Sequence, residues 1–158
     1  MSVAPESAIV AFHQDDEAAW VAELACGHSQ HVRHRPPLEL RPWVTSNEGR
    51  QARVGALLPC HLCRMPKLPA GLIEYKRTAV FDTKSTPAGL RKAHSTKGGV
   101  WGELVVTCGR VLYVLEAPEQ TSFVLHPGVP GAIAPEMLHH VEPHDGARFY
   151  VRFLRAPG

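Results

Sequence analysis

No apolar run in the sequence is long enough to cross a membrane as a helix. The first residues also lack a basic stretch followed by an apolar core, which a secretory leader needs. Both absences predict a cytoplasmic protein without a membrane partner. The net charge of +2 over 158 residues is too small to indicate a nucleic-acid partner by itself.

Cysteine is scarce, and its distribution is uneven. Three of the four cysteines, Cys26, Cys60 and Cys63, fall in the first 63 residues, whereas Cys108 stands alone. In a reducing compartment this pattern fits metal ligation better than disulfide formation. Glycine and proline are frequent, at 13 and 14 residues, which favours strands and turns over long helices.

Two short motifs pair metal ligands at close spacing. Cys26 is followed two residues later by His28, and Cys60 is followed three residues later by Cys63. Two such pairs provide the four nitrogen and sulfur ligands of a tetrahedral zinc ion. We therefore predict a structural zinc held by Cys26, His28, Cys60 and Cys63. The fourth ligand is the open point, because three other histidines lie near these motifs: His31, His34 and His61.

The segment around these motifs, residues 8–64, predicts a small α+β domain. Residues 8–12 and 19–24 are apolar runs separated by a polar turn, as in a β-hairpin. Residues 45–48 carry hydroxyl and acidic side chains typical of a helix start, and the helix is expected to end near residue 54. A segment this short buries little apolar surface, so a metal is expected to supply much of its stability.

The first segment resembles a small bacterial family of unknown function. The matching stretches are residues 26–34, 36–37, 41–43, 49–50 and 60–63. The resemblance implies a zinc-ribbon-like domain but no particular activity. Arginines are interleaved with histidines in this segment, which keeps nucleic acid as an alternative partner.

The second segment, residues 67–158, predicts an antiparallel β-structure. Strand signals alternate with glycine- and proline-containing turns and recur at residues 74–81, 99–107, 110–116, 121–125, 131–134 and 147–154. Many short strands without a strong helix predict a sandwich or barrel. The whole chain is therefore expected to be mainly β, with a boundary near residues 64–67.

Within this segment, His94 precedes a strand that contains Glu103 and ends in a glycine turn, and a later strand and proline turn lead to His139. This order resembles the two motifs of the cupin superfamily, although Glu136 replaces a glycine of the second motif. The resemblance implies a β-barrel that binds one divalent metal (Fe, Mn, Ni or Zn) through His94, His139 and Glu103. The same topology implies positions near the rim for two further histidines, His126 and His144.

A narrower resemblance is to the cupin-like family linked to tellurite resistance and nitrate or nitrite response. It is carried by residues 68–72, 75–78, 86–90, 97–102 and 135–143. In some relatives this module precedes a tellurite methyltransferase. The chain has no length left for that domain and shows no glycine-rich cofactor loop, so we expect that it is not a methyltransferase. Homodimers are a further expectation at the level of the family.

These features predict a two-domain metal-binding protein. Its second domain is expected to bind a small molecule or an oxyanion in a stress or detoxification setting. If the protein is an enzyme, the resemblance implies a metal-dependent cupin of the oxidoreductase type. The alternative is a non-catalytic sensor or regulatory module whose basic zinc ribbon contacts nucleic acid or a partner protein.

Overall fold

Two units make up the computed structural model, which describes residues 4–158: residues 4–64 and residues 65–158. Strands account for 42% of the structure and helices for 12%, which confirms the expectation of a mainly β protein. Within the described residues, no helix is both long and apolar enough to cross a membrane.

The N-terminal unit consists of a four-stranded antiparallel sheet, one short α-helix and two 3-10 helices. Its strands pair in the order β3–β2–β1–β4. The elements are β1 (Glu6–Gln14), β2 (Trp20–Leu24), β3 (Ser29–His31), a 3-10 helix (Pro42–Thr45), α1 (Asn47–Arg53), β4 (Leu57–Pro59) and a second 3-10 helix (His61–Arg64).

A small apolar core stabilises this sheet. Ile9, Ala22 and Leu24 are buried on β1 and β2, and Val32 and Val44 pack against them from the following loop and the first 3-10 helix. The expected hairpin is present, because β1 and β2 pair directly across residues 15–19.

Helix α1 begins where the sequence predicts a capped start. The Oγ of Ser46 accepts a hydrogen bond of 3.0 Å from the backbone N–H of Gly49. This bond satisfies one of the helix donors that have no partner within the helix.

The C-terminal unit contains seven strands in two antiparallel sheets. One sheet has the order β10–β7–β8, and the other has the order β5–β11–β6–β9. The elements are β5 (Ile73–Arg77), a 3-10 helix (Ala88–Arg91), β6 (Trp101–Cys108), β7 (Val111–Leu115), β8 (Thr121–Leu125), β9 (Gly131–Ile133), β10 (His139–Pro143) and β11 (Arg148–Arg155).

The two sheets share an apolar core. Tyr113 and Phe123 come from the first sheet, and Leu104 and Phe149 come from the second; all four are fully buried. The sheets form a curled antiparallel arrangement, while a closed cupin barrel stays a prediction. The alternation of polar and apolar residues does not predict strand β10, because its sequence begins with two histidines and ends with proline.

Candidate functional site

Two loops of the N-terminal unit bring four metal-ligating side chains together. The turn between β2 and β3 carries Cys26 and His28, and the segment after β4 carries Cys60 and Cys63. Gly27, at φ +92°, occupies the left-handed region that this tight turn requires. The ligand atoms of all four side chains lie within 4.8 Å of one another.

The distances between these atoms fit a tetrahedral ion. The sulfurs of Cys26 and Cys60 are 3.8 Å apart, and the Nδ1 of His28 lies 3.4, 3.3 and 3.4 Å from the sulfurs of Cys26, Cys60 and Cys63. Zinc bonds of about 2.3 Å to sulfur and about 2.0 Å to nitrogen place tetrahedral ligands about 3.8 Å apart for two sulfurs and about 3.5 Å apart for sulfur and nitrogen. The cluster therefore fits a zinc ion.

The thiols influence one another's protonation. Burial raises the pKa of Cys26, but hydrogen bonds from Ser7, the backbone of His28 and the two other thiols outweigh it and lower the pKa to about 6. For Cys63, burial acts with the hydrogen bonds and charges of Cys26 and Cys60 and raises the pKa to about 12. Three thiolates this close repel one another, and a divalent cation at their centre would remove that cost.

The three alternative histidines lie outside the cluster of four ligand atoms. His31 pairs with Asp15 through its Nε2 at 2.8 Å, and the Nδ1 of His34 accepts a hydrogen bond of 3.1 Å from the backbone N–H of Arg41. His61 begins the second 3-10 helix. The geometry favours His28 as the fourth ligand.

In the C-terminal unit, His94 and His139 lie side by side. Their backbones exchange two hydrogen bonds of 2.9 Å, and their ring centroids are 4.2 Å apart. The Nδ1 atoms lie 2.8 Å from the carbonyl oxygen of Lys92 and 2.9 Å from that of Met137, respectively. A carbonyl only accepts hydrogen bonds, so each Nδ1 carries the proton, and in the neutral ring Nε2 keeps a lone pair. Burial lowers the pKa of His139 to about 4.

Both histidines line a cleft of about 410 Å³ between the two sheets. Apolar walls come from β6, β9, β10 and β11, and include Leu104, Ile133, Val141 and Phe149. Two lysines, Lys76 and Lys97, also line the cleft, whereas its lining includes no carboxylate. The two lysines give this cleft positive charge, and an Nε2 atom with a lone pair is the type of ligand that binds a divalent metal.

Glu103 does not join the two histidines, contrary to the set of three ligands expected from the cupin resemblance. Successive side chains of a strand point to opposite faces, so Leu104 lines the cleft while Glu103 points away from it. Glu103 lines a separate cleft of about 370 Å³, where it accepts a hydrogen bond of 2.7 Å from the Nε of Arg152. The geometry therefore does not support Glu103 as a ligand of the same metal.

The two histidines expected near the rim are also placed elsewhere. His126 lines the same outer cleft as Glu103, and His144 is exposed in the turn after β10. Neither lines the cleft of His94 and His139.

Glu136 stands where the cupin pattern has glycine, and the backbone explains that preference. Its φ is +61°, in the left-handed region, and its N–H donates a hydrogen bond of 3.1 Å to the carbonyl oxygen of Thr96. Residues other than glycine adopt this conformation at a cost. Glycine would adopt this conformation without that cost, whereas this chain places Glu136 there.

His140 forms a polar cluster on the opposite face of β10 from His139. Its Nδ1 contacts a carboxylate oxygen of Glu116, and its Nε2 lies 3.2 Å from a carboxylate oxygen of Glu142. Burial lowers the pKa of His140, but the two carboxylates outweigh it and raise the pKa above its ordinary value. The hydrogen bond from His140 in turn lowers the pKa of Glu116. Sequence reasoning assigned no role to this cluster, because Glu116 is distant in the sequence.

Comparison with known families divides the chain into two parts, as the two units of the structure do. Residues 10–67 match the model of a family described as a protein of unknown function, DUF3565. Residues 76–151 match the TehB-like domain. The first part of the chain is therefore similar to the DUF3565 family and the second part to the TehB-like domain. The expectation of a tellurite-resistance module is thereby confirmed, whereas its cupin-like character stays a prediction.

Solved structures that resemble the chain include those of two bacterial proteins. A protein of Escherichia coli strain K12, a structural genomics target, is 28% identical and aligns over 60% of this chain and 100% of its own, with a TM-score of 0.55. TehB from Haemophilus influenzae is 24% identical and aligns over 55% of this chain, with a TM-score of 0.52. The chain covers 32% of the length of TehB. No curated protein sequence matches the chain.

These matches correct one expectation. The lack of a glycine-rich loop and of further length led us to expect that the chain is not a methyltransferase. TehB is a methyltransferase family, and both the TehB-like domain and the structure of TehB match this chain. The exclusion of methyl transfer is therefore wrong, because a missing loop motif is weaker evidence than a family match over residues 76–151.

Proposed function

We propose that the chain is a two-domain metal-binding protein of tellurite resistance, with a structural zinc in the DUF3565 domain and an oxyanion-binding cleft in the TehB-like domain. The zinc would join the β2–β3 turn to the segment after β4 through Cys26, His28, Cys60 and Cys63. Four protein ligands leave no open coordination position, so this zinc would stabilise the fold and perform no chemistry.

The side-by-side placement of His94 and His139 carries the second part of the proposal. The lone pairs of their Nε2 atoms are available, and Lys76 and Lys97 line the same cleft without an opposing carboxylate among its lining residues. An oxyanion such as tellurite or nitrite would bind to the lysines directly. Alternatively, the two histidines would hold a divalent metal (Fe, Mn, Ni or Zn) whose open positions bind the oxyanion.

The test is calorimetric titration of the purified full chain with tellurite and with nitrite, before and after loading with each divalent metal. If the lysines bind the oxyanion, we expect binding without metal that Lys76→Ala and Lys97→Ala abolish. If the histidines hold a metal, we expect metal-dependent binding that His94→Ala and His139→Ala abolish. Glu103→Gln is the matched control, because Glu103 faces the other cleft, and this variant should bind as the unmodified chain does. The absence of binding in every metal form, or binding that neither the lysine variants nor the histidine variants weaken, would contradict the proposal.

Methyl transfer is a second candidate, favoured by the match to TehB. The matched region is 32% of the TehB chain, so the activity of that family is a proposal here. The purified chain would be incubated with tellurite and a sulfonium methyl donor that carries an isotopic label. Transfer of the label to tellurium would support methyl transfer. Oxyanion binding without label transfer would leave binding as the function.

A further inference from the structure

The cleft that His94 and His139 line has more room than a small inorganic anion needs. Its volume is about 410 Å³. A water molecule takes about 30 Å³ of the liquid, and a four-atom oxyanion is only a few times larger. A larger ligand is needed to fill the cleft. The class of that ligand rests on the proposed function, since it takes the cleft to be an anion site.

The deep part of the cleft is apolar. Strands β6, β9, β10 and β11 contribute five lining residues that are at most 5% exposed: Leu104, Ile133, Val141, Phe149 and Val151. Leu90 and Phe153 also line the cleft and are partly buried. Removing such a surface from water is favourable, so the cleft would gain free energy by taking up an apolar group.

The two lysines of the cleft lie on its solvent-exposed side. Lys76 on β5 and Lys97 in the loop before β6 are both exposed, in contrast to the buried apolar residues. The ion pairs found among residues 4–158 involve arginines and histidines but neither of these lysines. A ligand carboxylate at the mouth would therefore meet two cations that are not neutralised by an ion pair within the described residues.

His139 supplies the observation that indicates a second polar group in the ligand. The residue is 2% exposed, and its Nδ1 lies 2.9 Å from the carbonyl oxygen of Met137. Among residues 4–158 its Nε2 has no hydrogen-bond partner, yet this atom is not one of those sealed from solvent. The cleft therefore reaches an acceptor that the described residues leave unsatisfied. A ligand hydroxyl can donate to this lone pair, whereas a carboxylate oxygen cannot.

The hydroxyl groups of the cleft itself do not satisfy this acceptor. Thr78 and Thr96 both line the cleft, but each donates its hydroxyl to a backbone carbonyl oxygen. We propose that the cleft binds a hydroxylated organic carboxylate. Its hydroxyl donates to Nε2 of His139, its apolar body packs against the buried apolar residues, and its carboxylate meets Lys76 and Lys97.

The experiment titrates the purified full chain, without added metal, with para-hydroxyphenylacetate and measures binding by calorimetry. This probe carries a hydroxyl, an aromatic body and a carboxylate. Phenylacetate lacks only the hydroxyl, and the methyl ester of the probe lacks only the charge. Each should bind roughly five- to tenfold more weakly, because each loses one polar interaction. Equal affinity of phenylacetate and the probe would overturn the proposal.

Three variants assign the two ends of the ligand. His139→Phe keeps a ring and removes the acceptor, so it should bind the probe and phenylacetate equally. Lys76→Ala and Lys97→Ala should weaken binding of the probe but not of its methyl ester. Lys84→Ala is the matched control, because Lys84 is exposed and lies outside the cleft, and should change affinity by less than about twofold. A preference for the probe that persists in His139→Phe would overturn the assignment of the hydroxyl. The ligand series on the unmodified chain needs no variant and stays decisive if His139→Phe does not fold.

Titrations with tellurite and nitrite separate this proposal from the proposed function. Binding of the oxyanions without binding of the probe would overturn the organic ligand and leave the proposed function standing. Binding of the probe alone would support the organic ligand and contradict the oxyanion part of the proposed function. If the probe binds only after a divalent metal is added, the hydrogen bond to His139 is overturned, because the metal would then occupy Nε2.

Discussion

His94 and His139 belong to different segments of the C-terminal unit, yet two backbone hydrogen bonds of 2.9 Å align them and place their ring centroids 4.2 Å apart. Each ring is also held through Nδ1 by a carbonyl oxygen two residues earlier. This double anchoring fixes the orientation of both imidazoles before any ligand arrives. Such prior orientation is what a binding site needs, because little conformational entropy is then lost on binding.

The first prediction concerns the tautomers of these histidines. Because both Nδ1 atoms face carbonyl oxygens, the neutral rings of His94 and His139 should carry the proton on Nδ1. Long-range proton–nitrogen NMR spectra at neutral pH report the tautomer directly, and the exposed His144 serves as the reference signal. A proton on Nε2 of His139 would show that its lone pair does not face the cleft.

The second prediction concerns the zinc cluster. Cys63→Ser should reduce zinc to well below one ion per chain and lower the free energy of unfolding of the N-terminal unit by roughly 3 kcal/mol or more, because metal binding is coupled to the folding of small domains. Elemental analysis and thermal unfolding measure these effects. Cys108→Ser is the matched control: this exposed cysteine lies outside the cluster, so zinc and stability should be retained. Full zinc content in Cys63→Ser would refute the ligand set.

The third prediction concerns the packing of the two sheets. A Cβ atom at Gly131 would lie 2.8 Å from Cδ1 of Leu125 and 3.0 Å from Cδ2 of Tyr113. Gly131→Ala should therefore lower the free energy of unfolding by about 1–3 kcal/mol through overpacking. Gly89→Ala is the control, since a Cβ at Gly89 meets nothing within 4 Å. Urea unfolding measures both variants, and equal effects would argue against the described packing of β9.

The fourth prediction concerns pH and His140. Its pKa is raised in the folded protein, so its pairing with Glu116 and Glu142 stabilises the fold fully below the unfolded pKa of about 6.5 and is lost as pH rises through the folded pKa. The pKa of Glu116 is lowered in the folded protein. The stability that its carboxylate contributes is therefore lost as pH falls through that folded pKa.

His140→Gln should therefore lower the free energy of unfolding by about 1 kcal/mol at pH 6 and by much less at pH 9. Urea unfolding at the two pH values makes the comparison. His144→Gln, an exposed histidine in the next turn, should show no such dependence. If His140→Gln lowers the free energy of unfolding equally at both pH values, the side chain acts by packing and not by charge.

The strands could largely be predicted from the sequence, because alternation and turn residues are local signals. The β1–β2 hairpin, the capped start of α1 and six of the seven strands of the C-terminal unit follow from such signals. Strand β10 could not be predicted in this way. His139 is buried there as a neutral ring, and a residue type that is usually polar hides the alternation.

The candidate metal site in the second unit shows where sequence reasoning fails. The cupin resemblance implies Glu103 as a ligand, but neighbouring residues of a strand point to opposite faces, so a shift of one residue decides which side chain lines the cleft. The structure accordingly pairs Glu103 with Arg152 and places Leu104 in the cleft instead. Spacing along the chain cannot decide this point, because strand register depends on the partner strands.

The sequence by itself determined two pairs of zinc-type ligands, a mainly β chain and a resemblance to a tellurite-resistance module. Local spacing was sufficient for Cys26 with His28 and for Cys60 with Cys63, because each pair lies in one turn. Only the tertiary structure decided which distant groups meet, such as His94 with His139 and His140 with Glu116. These pairs depend on strand register and on the packing of residues far apart in the chain, which no local pattern encodes.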